Sequence, residues 1–414
     1  MYEYIIIILF FLWFIPFLYV KIAYPFWSHQ PVFHYYDILR YWTQHPYIIY
    51  QNKPIKSKFL SKHVQSEEFL DLDEKQYDEI VDFIQSHYID SEKVLTMITK
   101  EDMKKDFIGL SHPSYISFYY DKQYNYSTKS YNETLPKIEE TKLLVGTITS
   151  RAIKIYLNAP VKHEQFVYYW DYLCVHRDFT QKYLGRNLIQ SHVQHQRFHN
   201  KEIASGLFKQ EINLCDCVVP LIKYNVYSFP LENTKKPPLK KYTIERIKNN
   251  NVHLFFDYLY HITHSGQSYF DLCIFPEIQV LDLLIENERL FVYGLKEKSK
   301  ILGFYFFKNP KMCYETTIDR NVLDCVGSVF LEQKSQHNQS LFFAGLLHAI
   351  YDLQHVVSEK FKIISFYQIM DNQELIERWG WKYNPTIVTQ SAYYLYNVIF
   401  PKMPYDGNKS FILL

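Results

Sequence analysis

The clearest hydrophobic pattern is an uncharged run near the N-terminus, YIIIILFFLWFIPFLYV, from Tyr4 to Val20. This run has the minimum length of a membrane-spanning helix, which tolerates a proline such as Pro16. Because Lys21 follows the run, the positive-inside rule predicts a cytosolic body. We therefore expect a single-pass membrane protein with an anchor over residues 1–22, in contact with the lipid bilayer through residues 4–20. A cleaved signal peptide is the alternative, although no basic segment precedes the run.

Helical and strand-like patterns alternate through the remaining chain. Apolar residues at helical spacing predict helices over residues 73–87, 181–199, 251–261 and 340–356. Short apolar and aromatic runs predict two strands around a tight turn in 141–157, a strand ending at Val175, a hairpin over 289–307 and a strand over 326–331. The succession of elements indicates an α+β protein in which helices flank mixed β-sheets.

Two stretches of similar pattern indicate an internal repeat. KLLVGTIT begins at Lys142 and KILGFYFF begins at Lys300, and each places a glycine inside a strand-like run. We expect two halves of similar architecture. Pro237 and Pro238 lie in a basic stretch that cannot continue a helix or an inner strand, so a domain joint is predicted there. The predicted domains are residues 23–235 and 236–414.

Composition narrows the classes of function. The chain of 414 residues has 45 Lys and Arg against 44 Asp and Glu, so nucleic acid is not an expected partner. The six cysteines are too sparse for a disulfide framework and fit a reducing compartment. Cys215 and Cys217 are interpreted as buried thiols, and His192, His195 and His199 as a solvated helix face, so no metal site is expected. The chain lacks the glycine-rich motifs of phosphoryl transfer and the G-x-S-x-G motif of serine hydrolases.

The stretch YYWDYLCVHRDFTQKYLGRNLIQ, from Tyr168 to Gln190, carries the main candidate chemistry. It predicts a strand, a polar turn and a helix whose first backbone N–H groups can bind an anion. Gly185 would permit close approach, and the segment from Gln181 to Gly185 would form the cradle. If the strand is splayed or bulged, the amides of Tyr172 and Leu173 could donate to a carbonyl oxygen. An ordinary strand-turn-helix is the alternative.

Four segments of the sequence resemble the N-myristoyltransferase family. LCVHRDFTQKYLGRNLI, PFWSHQPV, KLLVGTIT and YYLYNVIFPKMP are similar to family motifs and occur in the same order. The resemblance extends from about Tyr24 to Leu414. It implies two GNAT-like (acyl-CoA N-acyltransferase) halves, of which the first binds myristoyl-CoA and the second contributes the peptide groove.

The resemblance also implies roles for individual residues. Tyr24, Phe26 and Trp27 would line the CoA and thioester end of the acyl-CoA site. The amides of Tyr172 and Leu173 would form an oxyanion hole, and the Leu414 α-carboxylate would be the general base. The remaining residues would hold the CoA phosphates: Val175, Gln181, Lys182, Tyr183, Leu184 and Gly185. The expected enzyme is a monomer without a permanently bound cofactor, using myristoyl-CoA as co-substrate and protein or peptide N-termini as acceptors.

The sequence departs from the family pattern mainly on the peptide side. Leu214-Cys215-Asp216, Phe229, Gln368 and Ser410 replace family residues of different chemistry, and the segment before Gly185 lacks two arginines. These changes leave two alternatives to N-terminal glycine acylation. One is an altered or inactive acyl-CoA-binding or lipid-binding homologue, and the other is an acyltransferase with a different amine acceptor.

Overall fold

A computed structural model describes most of the chain. The described residues are 2–37, 41–42, 45–52, 57–89, 94–108, 110–127, 137–158, 162–211, 217–265, 268–314, 320–332, 335–357, 359–400 and 402–414. The α-helices of these residues are α1 (Tyr2–Ala23), α2 (Glu74–His87), α3 (Lys100–Lys105), α4 (Leu184–His199), α5 (His253–His264), α6 (Ile278–Glu286), α7 (Gln336–Val356) and α8 (Asn372–Gly380).

The strands carry most of the fold. They are β1 (Tyr47–Ile48), β2 (Val64–Glu68), β3 (Val94–Thr96), β4 (Tyr115–Ser127), β5 (Lys137–Leu157), β6 (His163–Val175), β7 (Gly206–Glu211), β8 (Ile222–Pro230), β9 (Tyr242–Ile247), β10 (Leu272–Phe275), β11 (Leu290–Glu297), β12 (Lys300–Lys308), β13 (Met312–Tyr314), β14 (Arg320–Phe330), β15 (Phe361–Tyr367), β16 (Ile387–Tyr396), β17 (Val398–Ile399) and β18 (Ser410–Ile412). β1 pairs with β17, and the other strands form one sheet whose main path is β18-β10-β5-β6-β7-β16-β8-β15-β14-β12-β11-β9.

The sheet contains the same arrangement twice, which confirms the predicted repeat. In the first half β4, β5 and β6 are antiparallel, and β7 returns parallel to β6 after α4. In the second half β11, β12 and β14 are antiparallel, and β15 returns parallel to β14 after α7. The α+β fold with two similar halves is therefore as expected. The proposed boundary between residues 235 and 236 stays a prediction.

Strands from each half lie among those of the other. β16 pairs with β7 on one side and with β8 on the other, and β8 continues to β15. β10 and β18 extend the first half beyond β5. This exchange brings the last residues of the chain into the same sheet as the strand that ends at Val175.

The predicted membrane anchor is wrong. Among the described residues no helix is long and apolar enough to cross a membrane, so the single-pass localisation is corrected as well. The C-terminal part of α1 instead contacts the body of the protein. Trp13 Nε1 donates to the Tyr36 carbonyl oxygen at 3.0 Å, and the Phe17 ring packs edge-on against Tyr36. Val20 is buried, and Lys21 Nζ donates to the Ser28 carbonyl oxygen at 3.1 Å.

The predicted helices at 73–87, 251–261 and 340–356 correspond to α2, α5 and α7. The turn predicted inside 141–157 is wrong, because β5 continues through Gly146 as one strand. A Cβ at this glycine would come within 2.7 Å of Leu188 on α4. Gly146 therefore permits close helix packing rather than a turn.

Candidate functional site

Near its C-terminal end, β6 loses its pairing with β7 and bulges against β5. Its pairing with β7 is limited to Tyr168–Trp170, so residues from Asp171 onward have no partner on β7. On the other side, Asp171 pairs with Thr149 and Cys174 with Thr147 of β5. Tyr172 and Leu173 thus face a single residue of β5, which is a β-bulge. Tyr172 has a φ of 47°, in the left-handed region.

The bulge exposes a polar edge beside the gap between β6 and β7. The Tyr172 side chain is buried, whereas Leu173 is 41% exposed. The Tyr172 N–H donates to Asp171 Oδ1 at 2.9 Å, and the Tyr88 hydroxyl donates to the same oxygen at 3.3 Å. An anionic ligand on the Tyr172 amide would therefore have to displace the Asp171 carboxylate.

The polar turn after β6 differs from the expected helix start. A 3₁₀ helix occupies Arg177–Lys182, Tyr183 adopts a left-handed conformation with φ of 57°, and α4 begins only at Leu184. Gln181, Lys182 and Tyr183 therefore precede the helix instead of forming its first turn. The side chains of Thr180, Gln181 and Lys182 are outside the described part of the structure.

The first turn of α4 keeps the features of an anion site. A Cβ at Gly185 would touch Val175 Cγ2 at 3.9 Å and meets no closer atom of the described residues, so there is room beside this backbone. Arg186, which the sequence analysis missed, places its guanidinium 4.5 Å from the Tyr183 ring centroid. The Arg186 N–H itself donates to the Tyr183 carbonyl oxygen at 3.1 Å. The amides of Leu184 and Gly185, together with the Arg186 guanidinium, therefore form the arrangement that suits phosphate.

The predicted aromatic residues pack in an apolar cluster that also contains Leu188 and Val193 of α4. Phe26 is buried and packs edge-on against Trp27 and Phe59. Trp27 stacks on Phe208 with ring centroids 5.6 Å apart, and Phe208 stacks on Trp170 of β6 at 5.5 Å. Tyr24 is half-buried, and its ring packs edge-on against Tyr19. Trp27 is therefore connected by stacked rings to the strand that carries the bulge.

Leu414 lies just after β18 (Ser410–Ile412) and contacts the end of β12. Leu413 N–H donates to the Ile274 carbonyl oxygen at 2.9 Å, which fixes the last residues beside β10. Lys308 Nζ, at the end of β12, donates to the Leu414 oxygen at 2.7 Å. Burial, together with Arg151 and Arg289, lowers the pKa of Lys308 to about 8, although Asp106 and Asp171 oppose this change. Leu414 and Asp171 are thus both close to Lys308.

A buried charge network lies behind the bulge. Arg289 is 3% exposed and approaches Asp106 Oδ2 at 3.4 Å and Asp102 Oδ1 at 3.5 Å. Arg151 approaches the same Asp106 oxygen at 3.8 Å. Burial opposes the charge of Arg151, yet Asp106 and Asp171 raise its pKa. Sequence reasoning overlooked these residues, although an arginine inside the apolar strand run of β5 was an available signal.

Three of the substituted family positions are described. Phe229 is buried, Ser410 is buried with its hydroxyl donating to the Asp406 carbonyl oxygen at 2.8 Å, and Gln368 donates to Gln373 at 2.7 Å. Gln368 also lines a polar cavity of about 270 Å³ between β8, β16 and the Asp406–Asn408 turn. Leu214-Cys215-Asp216 lies outside the described residues.

The expected solvated histidine face is wrong for His192. His192 is fully buried, its Nδ1 is 2.7 Å from Ser117 Oγ, and its Nε2 is 3.2 Å from Gln196 Nε2. Burial and the nearby His195 lower the pKa of His192 to about 3. Among the residues that the structure describes, no group of His, Cys, Asp or Glu could hold a metal ion.

Comparisons with known proteins identify the fold class. The chain has the α+β, GNAT-like fold of the N-myristoyltransferases. Among the solved structures that it resembles is Saccharomyces cerevisiae N-myristoyltransferase with bound myristoyl-CoA. The two sequences are 16% identical, the TM-score is 0.65, and the match covers 91% of this chain and 93% of the yeast chain. A second structure of the same yeast enzyme with myristoyl-CoA has the same identity and TM-score and covers 95% of each chain.

A third structure of the yeast enzyme, with myristoyl-CoA and inhibitors, gives 16% identity and a TM-score of 0.64 over 93% of this chain and 94% of that one. No family model matches the chain, and no curated protein sequence matches it. The likeness therefore establishes the fold.

Proposed function

We propose that this protein transfers a fatty acyl group, myristoyl by resemblance, from acyl-CoA to an amine of a protein, with an N-terminal glycine as the first candidate acceptor. The observation that carries the proposal is the bulge at Tyr172 and Leu173. It interrupts β6 beside a gap in the sheet, a short turn before the open N-terminus of α4.

The proposal assigns each group a step. The first turn of α4 would bind the CoA phosphates, because Gly185 leaves room beside the backbone and Arg186 adds a positive charge. The resemblance adds further residues to this phosphate site: Val175, Gln181, Lys182 and Tyr183. Tyr24, Phe26 and Trp27 would line the thioester end. When the amine attacks the thioester carbon, the amides of Tyr172 and Leu173 would donate to the oxyanion. The resemblance assigns the role of proton acceptor to an α-carboxylate at Leu414.

Two observations favour the second candidate, an acyl-CoA-binding protein without transfer activity. The Tyr172 amide already donates a hydrogen bond to the Asp171 carboxylate, and a Leu414 oxygen already accepts one from Lys308. The third possibility is that the enzyme acylates a different amine. It is supported by the buried Phe229 and by Gln368, which differ in chemistry from the family residues at these positions of the peptide site.

Transfer and binding can be measured separately. The full chain is incubated with myristoyl-CoA and a library of peptides that differ in their first residue and in lysine content. Release of the CoA thiol and the mass of each peptide report transfer, while calorimetry reports acyl-CoA affinity. Acylation of N-terminal amines supports the first proposal, lysine acylation supports the different acceptor, and binding without acylation refutes the enzyme.

Trp27 provides a test of the binding site. Trp27→Ala removes the ring that stacks on Phe208, and we expect the affinity for myristoyl-CoA to fall about tenfold or more, as for other aromatic anchors. Trp42→Ala is the matched control, because Trp42 is 82% exposed. Calorimetric titration of each variant with myristoyl-CoA measures the affinities, provided that the two variants have equal thermal stability. Equal affinities for the two variants would contradict the placement of acyl-CoA at Trp27.

A further inference from the structure

A second buried carboxylate lies beside Lys308, on a strand of the second half. Asp324 on β14 is 7% exposed and lies directly opposite Lys308 of β12 in the strand register. Residues directly opposite on antiparallel strands present their side chains on the same face of the sheet. Asp324 and the Lys308–Leu414 pair therefore lie on one face, where the second half meets the end of the chain.

The bonding of Asp324 is unusual for a buried carboxylate. The Tyr367 hydroxyl donates to Asp324 Oδ2 at 3.0 Å, and Lys209 Nζ lies 3.5 Å from that hydroxyl oxygen and 4.9 Å from the ring centroid. Among the described residues, no Lys, Arg or His nitrogen makes a salt bridge with Asp324. Buried carboxylates are usually paired with a cation. The site therefore has the chemistry to receive an ammonium group.

The surroundings set the proton affinity of this carboxyl group. Burial raises the pKa of Asp324 to about 6, although Lys209, Tyr367 and Lys308 lower it and Glu211 raises it further. An unperturbed α-carboxyl group has a pKa of about 3.3–3.7 and an α-amino group one of about 7.7–8.0. Asp324 is consequently the better matched acceptor for a proton from an amine. The charged and titratable groups around it, from five strands, are Lys209, Glu211, Lys308, Tyr314, Tyr367 and Tyr393.

Leu414 is less suited to accept that proton. Its oxygen already receives a hydrogen bond from the Lys308 ammonium, and a neighbouring positive charge favours the ionised form of a carboxylate. The same ammonium disfavours a second cation beside it, which promotes loss of a proton from an incoming amine. Lys308 and Leu414 are therefore suited to orient the acceptor nitrogen.

Resting on the function proposed above, we propose that Asp324 binds the acceptor ammonium and takes its proton, with Lys308 and Leu414 as positioning residues. One proton passes from the ammonium nitrogen to the Asp324 carboxylate. The neutral nitrogen then attacks the thioester carbon, the N–C bond forms and the C–S bond breaks. The electron pair of the C–S bond leaves with the CoA thiolate, and the second amine proton neutralises it.

The pH dependence of transfer tests this role. A carboxylate base acts only when ionised, so wild-type transfer should fall as the pH drops through about 6. Asp324→Asn should reduce kcat/KM at pH 7 by a factor of about 10²–10⁴ and should abolish the fall in activity at acidic pH. Its residual activity should rise with pH through about 8, where the amine loses its proton unaided. Acyl-CoA affinity should stay unchanged.

Asp352→Asn is the matched control, because Asp352 on α7 also accepts a hydrogen bond from a tyrosine hydroxyl, that of Tyr293 at 2.8 Å. This variant should keep the wild-type rate and pH profile. If Asp324→Asn transfers acyl groups with the wild-type profile, Asp324 is not the proton acceptor, while the proposed transferase function stands. If the wild-type protein binds acyl-CoA but acylates no amine, the proposed function fails and the role of Asp324 fails with it.

Discussion

Tyr172 and Asp171 show how two adjacent residues decide what the site can do. The left-handed backbone of Tyr172 turns its N–H toward the side chain that precedes it in the sequence, and the Asp171 carboxylate accepts it. A negative charge at that amide competes with an oxyanion for the same donor. For transfer to occur, Asp171 has to move to another partner, and Tyr88 already donates to it.

Replacing Asp171 tests this competition. Asp171→Ala frees the Tyr172 amide and removes the adjacent negative charge. We expect transfer, or hydrolysis of the thioester by water, to accelerate about tenfold or more, since one oxyanion donor is worth about 10²–10³ in kcat. Initial rates of CoA release measure the effect. Asp82→Ala on the exposed side of α2 removes the same charge and should leave the rate unchanged. A slower Asp171→Ala variant would contradict the competition.

Residue roles were only partly predictable. The LCVH motif singled out Tyr172 and Leu173 because a local sequence pattern carries them, but their hydrogen bonds depend on a bulge that involves β5 and a gap beside β7. Arg289 lies just before β11, Lys308 ends β12 and Asp324 lies within β14, and they come together through the pairing of these three strands. No local pattern connects them, so the sequence analysis did not single them out.

Elements with strong local signals were predicted best. α2 begins after Asp73, whose carboxylate accepts the Gln76 N–H at 2.7 Å in a reciprocal capping box. The hairpin of β11 and β12 turns at Lys298, and α7 follows its cap at Ser335. Caps and turns act over a few residues, so they are visible in the sequence.

Elements that depend on tertiary packing were predicted poorly. Gly146 suggested a turn but lies within a long strand against α4, and the start of α4 is delayed by a 3₁₀ turn. The N-terminal run has the composition of a membrane span, yet its C-terminal part contacts Tyr36 and Ser28. For Gly146 and the N-terminal run, contacts distant in sequence override the local pattern.

The glycine inside β12, Gly303, provides a test of how the strands and helices pack. A Cβ at Gly303 would lie 2.5 Å from the Val329 carbonyl oxygen and 3.3 Å from Phe342 of α7. Gly303→Ala should therefore lower the free energy of unfolding by about 1–3 kcal/mol. At Gly380, near the end of α8, an added Cβ would meet no atom of the described residues within 4 Å outside its own helix backbone and chain neighbours. Gly380→Ala should therefore raise the free energy of unfolding by up to about 1 kcal/mol. Urea denaturation measures both, and equal effects would contradict the packing.

At the scale of the whole molecule, the exchange of strands between the halves assembles the candidate site. The first half supplies the bulge, the stacked rings and the start of α4. The second half supplies Lys308, Asp324 and Leu414, and β18 carries the end of the chain to the edge of the first half. The repeat could be predicted from two similar strand patterns, whereas the exchange could not, because pairing between distant strands leaves no local pattern.

The most direct test of the central claim is the mass of a glycine-terminated peptide after incubation with the full chain and myristoyl-CoA. We expect that one myristoyl group is added at the α-amine, that one CoA thiol is released per peptide acylated, and that an N-acetylated copy of the peptide stays unchanged. A protein that binds myristoyl-CoA while leaving the peptide and every other amine unacylated would contradict it.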